Sequence, residues 1–325
     1  MPSVTEMPER EGIAVAGTIL VDRLCEIGAY PKAGELTQIK RVSLSAGGLV
    51  PNDGIDLKKL DPSLPVYAYG KVGNDDEGRF ALEQMKLHGV DVSGVIVSDA
   101  ERTGFTDVMS VVGGQRTFFT CSGANATFGA NAIPWGTLSC KMFHLGYFLL
   151  MEAIDNGNGL QILKWAKERG ILTSIDLVSE NSDRYAGILP CLPYVDNLIV
   201  NETEAGNLCG VEPTDENLPL LASILLDAGV RDRVIIHTPK QAVCKSRKTV
   251  STMPSYDVPK GWIKGTTGAG DAFCSGALLG IYYAKSDREI LEYAQTAATA
   301  SLRTTDATGG LAELSELQKL MNTFL

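Results

Sequence analysis

The sequence has little charge, few aromatic residues and no long apolar run. Charged residues make up 21% and aromatic residues 7% of the 325 positions. No apolar stretch reaches the length that a membrane-spanning helix needs, so we expect no membrane partner. The segment from Met1 to Gly12 is polar and acidic and lacks the basic and apolar regions of a secretory signal. We therefore expect a cytoplasmic protein.

The sequence also lacks closely spaced pairs of cysteines. The seven cysteines are odd in number, scattered and never spaced as Cys-x-x-Cys. This pattern argues against a disulfide framework or a zinc site and favours incidental thiols. The net charge of −10 disfavours nucleic acid as a partner, whereas a nucleotide needs only a local positive site.

The sequence does contain enough apolar material for a large core, because 44% of its residues are hydrophobic. Short apolar runs alternate with helical stretches along the second half of the chain. The apolar runs are 142–146, 171–176, 197–201 and 234–237. Such alternation predicts a parallel sheet covered by helices on both faces. No linker or internal repeat divides the chain, so we expect a single domain over residues 1–325.

A glycine-rich stretch near the C-terminus predicts an anion site. Residues 265–273 read Gly-Thr-Thr-Gly-Ala-Gly-Asp-Ala-Phe and lead into a helix of small residues. The first amides of a helix lack intrahelical acceptors, and the helix dipole adds positive potential there. Small residues at Gly268, Ala269 and Gly270 let a phosphate approach these amides. We assign these three residues to the catalytic site.

Asp271 follows this turn directly. A carboxylate beside an anion site is a poor phosphate ligand, since like charges repel. It suits a general base that takes a proton from an attacking hydroxyl group. The alternative, from the residues alone, is an ordinary glycine-rich turn capped by Asp.

The glycine-rich stretch resembles the C-terminal signature of the ribokinase-like (phosphofructokinase-B type) carbohydrate kinases. Residues 201–204, Asn-Glu-Thr-Glu, resemble the Asn-x-x-Glu motif of that family, and Gly47-Gly48 with Asn52 resembles its N-terminal signature. The resemblance covers residues 13–310. It implies a ribokinase-like α/β fold, with a central, mostly parallel sheet flanked by helices and a small β-strand lid.

The resemblance places the lid mainly in residues 17–45 and 95–122. The second range contains two β-rich runs joined by Gly113-Gly114-Gln115, which is a hairpin signal. A lid with exposed strand edges favours a homodimer that covers them.

The family activity implied here is transfer of the γ-phosphoryl group of ATP to a hydroxymethyl group of a small sugar. Asp271 would be the general base, and the turn from Gly268 to Asp271 the anion hole. Asn201 and Glu204 would hold Mg²⁺, because oxygens three residues apart at a helix start suit a hydrated magnesium ion beside phosphates. Without the resemblance, Asn-x-x-Glu is more often a capping arrangement.

The resemblance also implies contacts with both substrates. The residues expected to bind the sugar are Asp22, Gly47, Gly48, Asn52, Arg116, Asn125 and Asp271. The residues expected to bind the nucleotide are Asn201, Thr238, Thr266, Thr267, Gly268, Gly270 and Gln295. For Arg116 a solvated strand charge is an equal alternative, and we expect His144 to be a core histidine.

Three features depart from the family pattern. Pro51 cannot occupy a helix interior, so we expect the local helix to begin at or after it. Gly265 stands where relatives carry Asp near a monovalent-cation site, which leaves potassium activation open. Pro239 interrupts a run that borders the nucleotide in relatives, which leaves the donor preference open.

Nothing in the sequence forms an obvious Arg cluster for a sugar phosphate, which favours an unphosphorylated sugar or sugar acid as the substrate.

Two alternatives to a sugar kinase follow from the same residues. A nucleoside kinase of the same family would need a slot for the base, which Phe105, Phe118 or Phe119 could line. A catalytically silent sugar or nucleotide sensor is the other alternative.

Overall fold

The computed structural model describes residues 10–111, 115–179 and 183–324. Its strands are β1 Ile13–Ala16, β2 Leu20–Ile27, β3 Ile39–Gly47, β4 Val66–Gly73, β5 Asp91–Ser98, β6 Gly104–Val111, β7 Arg116–Cys121, β8 Met142–Phe148, β9 Leu172–Leu177, β10 Asn197–Asn201, β11 Arg233–His237, β12 Gln241–Ser246 and β13 Val250–Pro254. Its α-helices are α1 Leu49–Leu60, α2 Asp76–Leu87, α3 Gly159–Glu168, α4 Glu202–Cys209, α5 Leu218–Asp227, α6 Ala269–Tyr282, α7 Asp287–Ser301 and α8 Leu314–Met321. Short 3₁₀ segments are Gly123–Thr127, Ala130–Ala132, Arg184–Tyr194 and Asn322–Phe324, and Ile154–Asn158 is a kinked π-type turn.

Nine strands form the main sheet, in the order β13-β12-β11-β10-β9-β8-β1-β4-β5. The pairs from β11 through β5 are all parallel, whereas β12 runs antiparallel to both of its neighbours. Parallel strands place their carboxyl ends at one edge of the sheet, which is where open α/β sheets bind ligands.

The core lies on both faces of this sheet. Successive side chains of β1 point to opposite faces, so that Ala14 and Ala16 join one apolar cluster and Ile13 and Val15 join the other. Helices α3, α4 and α5 contribute to the first cluster, and α1, α2, α6, α7 and α8 to the second. The predicted parallel sheet with helices on both faces is confirmed.

A second sheet of four strands has the order β3-β2-β6-β7. β2 pairs antiparallel with β3 and parallel with β6, and β6 pairs antiparallel with β7. Part of the predicted hairpin joint, Gly113 and Gly114, lies outside the described residues. The segment predicted for the lid, 95–122, also overlaps β5, which belongs to the main sheet.

Helix α1 begins at Leu49, two residues before Pro51, so the prediction that it begins at or after Pro51 is wrong. Thr18 supplies the acceptors at this end: the Leu49 amide donates to its Oγ1 atom at 3.1 Å and the Val50 amide to its carbonyl oxygen at 3.1 Å. Pro51 then occupies the third helical position, where its missing N–H leaves no intrahelical bond unmade.

No helix in the described part of the chain is both long and apolar enough to cross a membrane. All seven cysteines are free thiols.

Candidate active site

The glycine-rich turn forms the start of α6 at the ligand-binding edge of the main sheet. Gly268 is the N-cap residue and has a φ of 77°, a left-handed conformation that favours glycine. A Cβ atom on Gly268 would lie 2.5 Å from the carbonyl oxygen of Ala307, so this position also has no room for a side chain. The amides of Gly270 and Asp271 are at the second and third helical positions, where no intrahelical acceptor exists. The turn therefore presents free donors beside Asp271.

Two donors from distant parts of the chain hold the Asp271 carboxylate. The Tyr147 hydroxyl donates to Oδ1 at 2.8 Å, and the Asn52 amide donates to Oδ2 at 2.8 Å. Asp271 is only 8% exposed. Burial raises its pKa above the ordinary value, and the hydrogen bonds from Tyr147 and Asn52 act in the opposite direction. This is the environment of a base that is oriented and more basic than a surface Asp.

Tyr147 is a site residue that sequence reasoning missed. It has a φ of 58°, which is uncommon for a bulky residue and marks a constrained position. Its backbone amide donates to Oδ1 of Asp176 at 2.6 Å, so the end of β8 is tied to the end of β9. The available signal was its position at the carboxyl end of a buried strand.

A cavity of about 320 Å³ opens beside Asp271 and is rich in carboxyl groups. Asp176, Glu204 and Asp271 line it together with Asn201. No Lys or Arg is among its described lining residues. His237 also lines it, and burial lowers the pKa of that histidine to about 4, so the ring is neutral at pH 7. A cation would balance this group of carboxylates.

Asn201 and Glu204 form a reciprocal capping box at the start of α4. The Glu204 amide donates to Asn201 Oδ1 at 2.9 Å, and the Asn201 amide donates to Glu204 Oε2 at 3.0 Å. The Ser179 hydroxyl donates to Oε1 at 2.8 Å. Burial raises the pKa of Glu204 to about 7. The motif thus caps the helix and also brings a buried carboxylate to the cavity wall.

A second cavity of about 450 Å³ adjoins the first and shares Asn201, His237 and Gly270 with it. Besides Asn201 and Gly270, it contains three of the residues predicted for the nucleotide, which are Thr238, Thr266 and Gln295. Gln295 is buried at its wall, whereas Gly268 lines the first cavity. Tyr256, Val258, Ile263 and Leu302 make much of its surface apolar. An apolar slot joined to a polar cavity fits a ligand with a flat base and a charged end.

A third cavity of about 420 Å³ lies between the small sheet and the main body. Asp22, Arg116 and Thr267 line it, and Arg116 Nη1 donates to Thr267 Oγ1 at 3.2 Å. Thr267, which we expected on the nucleotide side, therefore lies on the side of Asp22. Burial raises the pKa of Asp22 to about 6, and the nearby charge of Asp271 adds to this rise. Asp22 is thus close enough to interact with the candidate base.

The paired glycines fit around Asp22 and the start of α1. A Cβ atom on Gly47 would lie 2.4 Å from Asp22 Oδ2, so glycine leaves room for this carboxylate. Gly48 has a φ of 84° and is the N-cap residue of α1. Gly47 thus leaves space for the Asp22 carboxylate, and Gly48 starts the helix that places Asn52 beside Asp271.

The structure does not bring Asn125 to any of the three cavities. Its side chain is 1% exposed and contacts backbone instead. The Ile19 amide donates to Asn125 Oδ1 at 2.9 Å, and Asn125 Nδ2 donates to the carbonyl oxygens of Ile19 and Ser122. Asn125 therefore stabilises the backbone directly before β2, the strand that carries Asp22.

His144 is fully buried in β8, as expected of a core histidine. Nδ1 of its ring lies 2.8 Å from the Ser174 hydroxyl. Burial lowers its pKa to about 3, so the ring is neutral.

Comparisons with known proteins match this architecture over most of its length. A model of the family described as pfkB family carbohydrate kinase matches residues 12–313. Ribokinase of Arabidopsis thaliana is 25% identical over 315 residues, which cover 95% of this chain and 80% of the relative. Fructokinase-1 of Zea mays is 26% identical over 287 residues, which cover 83% of this chain and 82% of the relative.

Solved structures show the same fold. A structure of Arabidopsis thaliana ribokinase complexed with ribose and ATP has a TM-score of 0.82 at 24% identity, and the match covers 96% of this chain and 99% of that one. A ribokinase structure from Thermotoga maritima has a TM-score of 0.80 at 20% identity, with the same coverage. The predicted ribokinase-like fold is confirmed.

Proposed function

The chain belongs to the pfkB family of carbohydrate kinases, and from this premise we propose that it transfers the γ-phosphoryl group of ATP to a hydroxymethyl group of a small sugar. The observation that carries the proposal is the Asp271 carboxylate, which two donors orient at the start of α6. The free amides of the glycine-rich turn lie next to it. A base and an anion hole side by side are what phosphoryl transfer to an alcohol requires.

The reaction would proceed in one displacement. The sugar hydroxyl oxygen forms a bond to the γ-phosphorus while the bond between that phosphorus and the bridging oxygen of ADP breaks. The hydroxyl proton moves to Asp271, and ADP leaves with the electron pair of the broken bond. The amides of Gly270 and Asp271 would stabilise the charge on the transferring group.

Asn201 and Glu204 are the residues we propose to hold Mg²⁺, with Asp176 adding negative charge. The cavity fits a divalent cation, since its described lining has three carboxylates and neither Lys nor Arg. Mg²⁺ retains several waters and takes one or two protein oxygens beside substrate phosphates. When bound, it would neutralise charge on the phosphates.

We propose that the second cavity receives ATP. Its apolar residues, such as Tyr256 and Leu302, would contact the base, and Gln295 offers an amide at the same wall. Since this cavity and the first share Gly270, the phosphates could extend from it toward Asp271.

The third cavity is the proposed sugar site. Asp22 offers a carboxylate to hydroxyl groups, and Ser43 and Ser45 add small polar groups. Its described lining contains one arginine, Arg116, against the carboxylates of Asp22 and Asp306. This balance favours an unphosphorylated sugar over a sugar phosphate, and a sugar acid would have to pair its carboxylate with Arg116.

A nucleoside is the second candidate for the acceptor. Phe118 lines the third cavity, and its ring could stack on a base. Phe105 offers no such surface, because its ring lies under the guanidinium groups of Arg23 and Arg102, at 3.9 and 4.5 Å.

We further propose that the small sheet acts as a lid on the third cavity and as a homodimer contact. Its outer strands carry exposed apolar side chains, including Val42, Leu44 and Phe119. Exposed apolar groups on strand edges favour association with a second sheet. Sedimentation equilibrium would return a monomer mass if this part of the proposal is wrong.

The proposal is tested by ADP release from magnesium-ATP across free sugars, sugar acids and nucleosides. One class should give turnover that disappears in Asp271→Asn. A nucleoside as the preferred acceptor would replace the sugar assignment. Tight binding of a sugar or nucleotide without any turnover would favour the sensor alternative.

A further inference from the structure

A cluster of side chains that can bind a metal lies close to Asp271 and takes no part in the proposed kinase reaction. Asp53 of α1, His144 of β8 and Cys274 of α6 place one ligand atom each within 4.8 Å of one another. All three residues are buried. They come from segments far apart in the chain, so spacing in the sequence gave no sign of them.

Two distances within this cluster match those between ligands of a tetrahedral ion. His144 Nε2 lies 3.6 Å from Asp53 Oδ2 and 3.6 Å from Cys274 Sγ, and the third pair of ligand atoms lies within 4.8 Å. Tetrahedral zinc, with bonds of about 2.3 Å to sulfur and about 2.0–2.2 Å to nitrogen or oxygen, places its ligands about 3.4–3.6 Å apart. The same spacing is too long for good hydrogen bonds between nitrogen and oxygen.

The second observation is that the Asp53 carboxyl group is buried without a hydrogen bond from any N–H or O–H group in the described part of the chain. The neutral His144 ring, at 3.6 Å, and the Cys274 thiol face it instead. An unpaired buried carboxylate is costly. A divalent cation together with Asp53 and the Cys274 thiolate would make a site of zero net charge.

We propose that Asp53, His144 and Cys274 bind one zinc-type divalent cation. Nitrogen, sulfur and oxygen ligands in tetrahedral geometry select zinc over magnesium. The Ser174 hydroxyl beside His144 Nδ1 orients the ring so that Nε2 faces the ion. Three protein ligands leave a fourth position for water.

The position of this cluster matters for the proposed catalytic residues. Cys274 also lines the cavity of Asp271, so the cluster borders that cavity at its Cys274 ligand. Asp53 follows Asn52, and Cys274 lies one helical turn after Asp271. The ion would therefore link α1, α6 and β8, which carry Asn52, Asp271 and Tyr147.

The test uses metal-free full-length protein with Zn²⁺ and Co²⁺ as probes. Wild type should bind one equivalent of Zn²⁺ in competition with a chelating indicator, and its Co²⁺ complex should show a thiolate-to-cobalt charge-transfer band. In Cys274→Ser the band should vanish, and the Zn²⁺ dissociation constant should rise at least about tenfold. Asp53→Asn, which keeps the side-chain shape, should weaken Zn²⁺ binding by a similar factor.

Two control variants distinguish Zn²⁺ binding at this site from Zn²⁺ binding by other thiols or carboxylates. Cys244→Ser removes a buried thiol elsewhere in the core, and Glu204→Gln alters the proposed magnesium site. Both should retain the band and the Zn²⁺ affinity. The absence of a band in wild type, or a band that survives in folded Cys274→Ser, would overturn the proposal.

Discussion

The edge of the main sheet and the small sheet differ in how firmly they hold their functional residues. At the main sheet, Asp271 is buried and accepts hydrogen bonds from two separate elements. On the small sheet, Asp22 is half-buried, and other side chains of that sheet, such as Val42 and Phe118, are 55% and 63% exposed. Rigid, buried elements thus carry the proposed chemistry, and a more open sheet carries the proposed recognition.

This difference has an energetic cause. A buried carboxylate that loses a donor is left with unsatisfied charge, which costs more than the loss of an exposed contact. Variants at the main sheet should therefore change stability or the rate of transfer, whereas variants at the small sheet should change the Michaelis constant for the sugar.

The largest expected effect on stability comes from filling the glycine-rich turn. Gly268→Ala forces a left-handed residue with a Cβ atom against the backbone of Ala307, and it should lower the free energy of unfolding by about 2–3 kcal/mol. Urea denaturation measures the change.

Gly270→Ala is the matched control, because a Cβ atom there meets nothing within 4 Å. It should unfold like wild type even if the added methyl group obstructs phosphate. Equal losses of stability in both variants would show that the left-handed conformation of Gly268 is not the cause of the loss.

Removal of the buried carboxylate at the proposed magnesium site should come next in size. Glu204→Gln keeps the side-chain shape but removes one carboxylate from the cavity. The described residues that line this cavity include neither Lys nor Arg. The Mg²⁺ concentration for half-maximal rate should rise about tenfold to a hundredfold, as for loss of a metal ligand or its support. A Mg²⁺ titration of ADP release measures it, with the exposed Glu216→Gln as control. An unchanged half-maximal concentration would rule out Glu204 as a ligand.

On the small sheet, Asp22→Asn should raise the Michaelis constant for the sugar about tenfold, the equivalent of one charged hydrogen bond. The turnover number should change less, since Asp22 affects the base Asp271 only through its charge and takes no proton itself. Asp107→Asn is a control on the same sheet, where Asp107 pairs with Arg23 at 2.7 Å. If Asp22→Asn lowers the turnover number alone, recognition and chemistry are not divided between the two sheets.

The smallest expected effect is that of Tyr147→Phe. Loss of the donor to Asp271 Oδ1 should lower turnover about threefold to tenfold. It removes a hydrogen bond to the charged form, so the pKa of Asp271 should rise. Because the base acts when deprotonated, the acid limb of the pH profile of kcat/KM should move to higher pH.

The control for that variant is Tyr283→Phe, in which the lost hydroxyl donates to Asp61 at 2.6 Å on the surface. Its acid limb should coincide with that of wild type. An unmoved limb in Tyr147→Phe would mean that Tyr147 does not act on Asp271.

The sequence could reveal the fold and the contiguous parts of the site. Residues 201–204 and 265–273 each form one local unit, a capped helix start and a glycine-rich turn, so a run of neighbouring residues is enough to locate them. The magnesium role of residues 201–204 came from the family resemblance, because the residues alone indicate a cap. The parallel sheet follows from short buried runs between helices.

Residues that depend on contacts between distant segments could not be found in this way. Tyr147 reaches Asp271 only because β8 ends beside α6, and its left-handed backbone leaves no trace in the sequence. The Asn125 side chain makes hydrogen bonds with the backbone amide and carbonyl groups of Ile19, a contact that a local motif cannot indicate. Thr267 lies beside Arg116 because the small sheet covers that end of the turn.

In the proposed reaction, the contact between Asp271 and the sugar hydroxyl serves mainly to remove the proton and adds little to the affinity for either substrate. The direct test is a single-turnover measurement of phosphoryl transfer with saturating sugar and magnesium-ATP, for wild type and Asp271→Asn, alongside calorimetric binding of each substrate. We predict that transfer falls at least about a hundredfold while both dissociation constants stay within about threefold, a free-energy change below that of one hydrogen bond. Transfer at a rate close to that of wild type would contradict the claim.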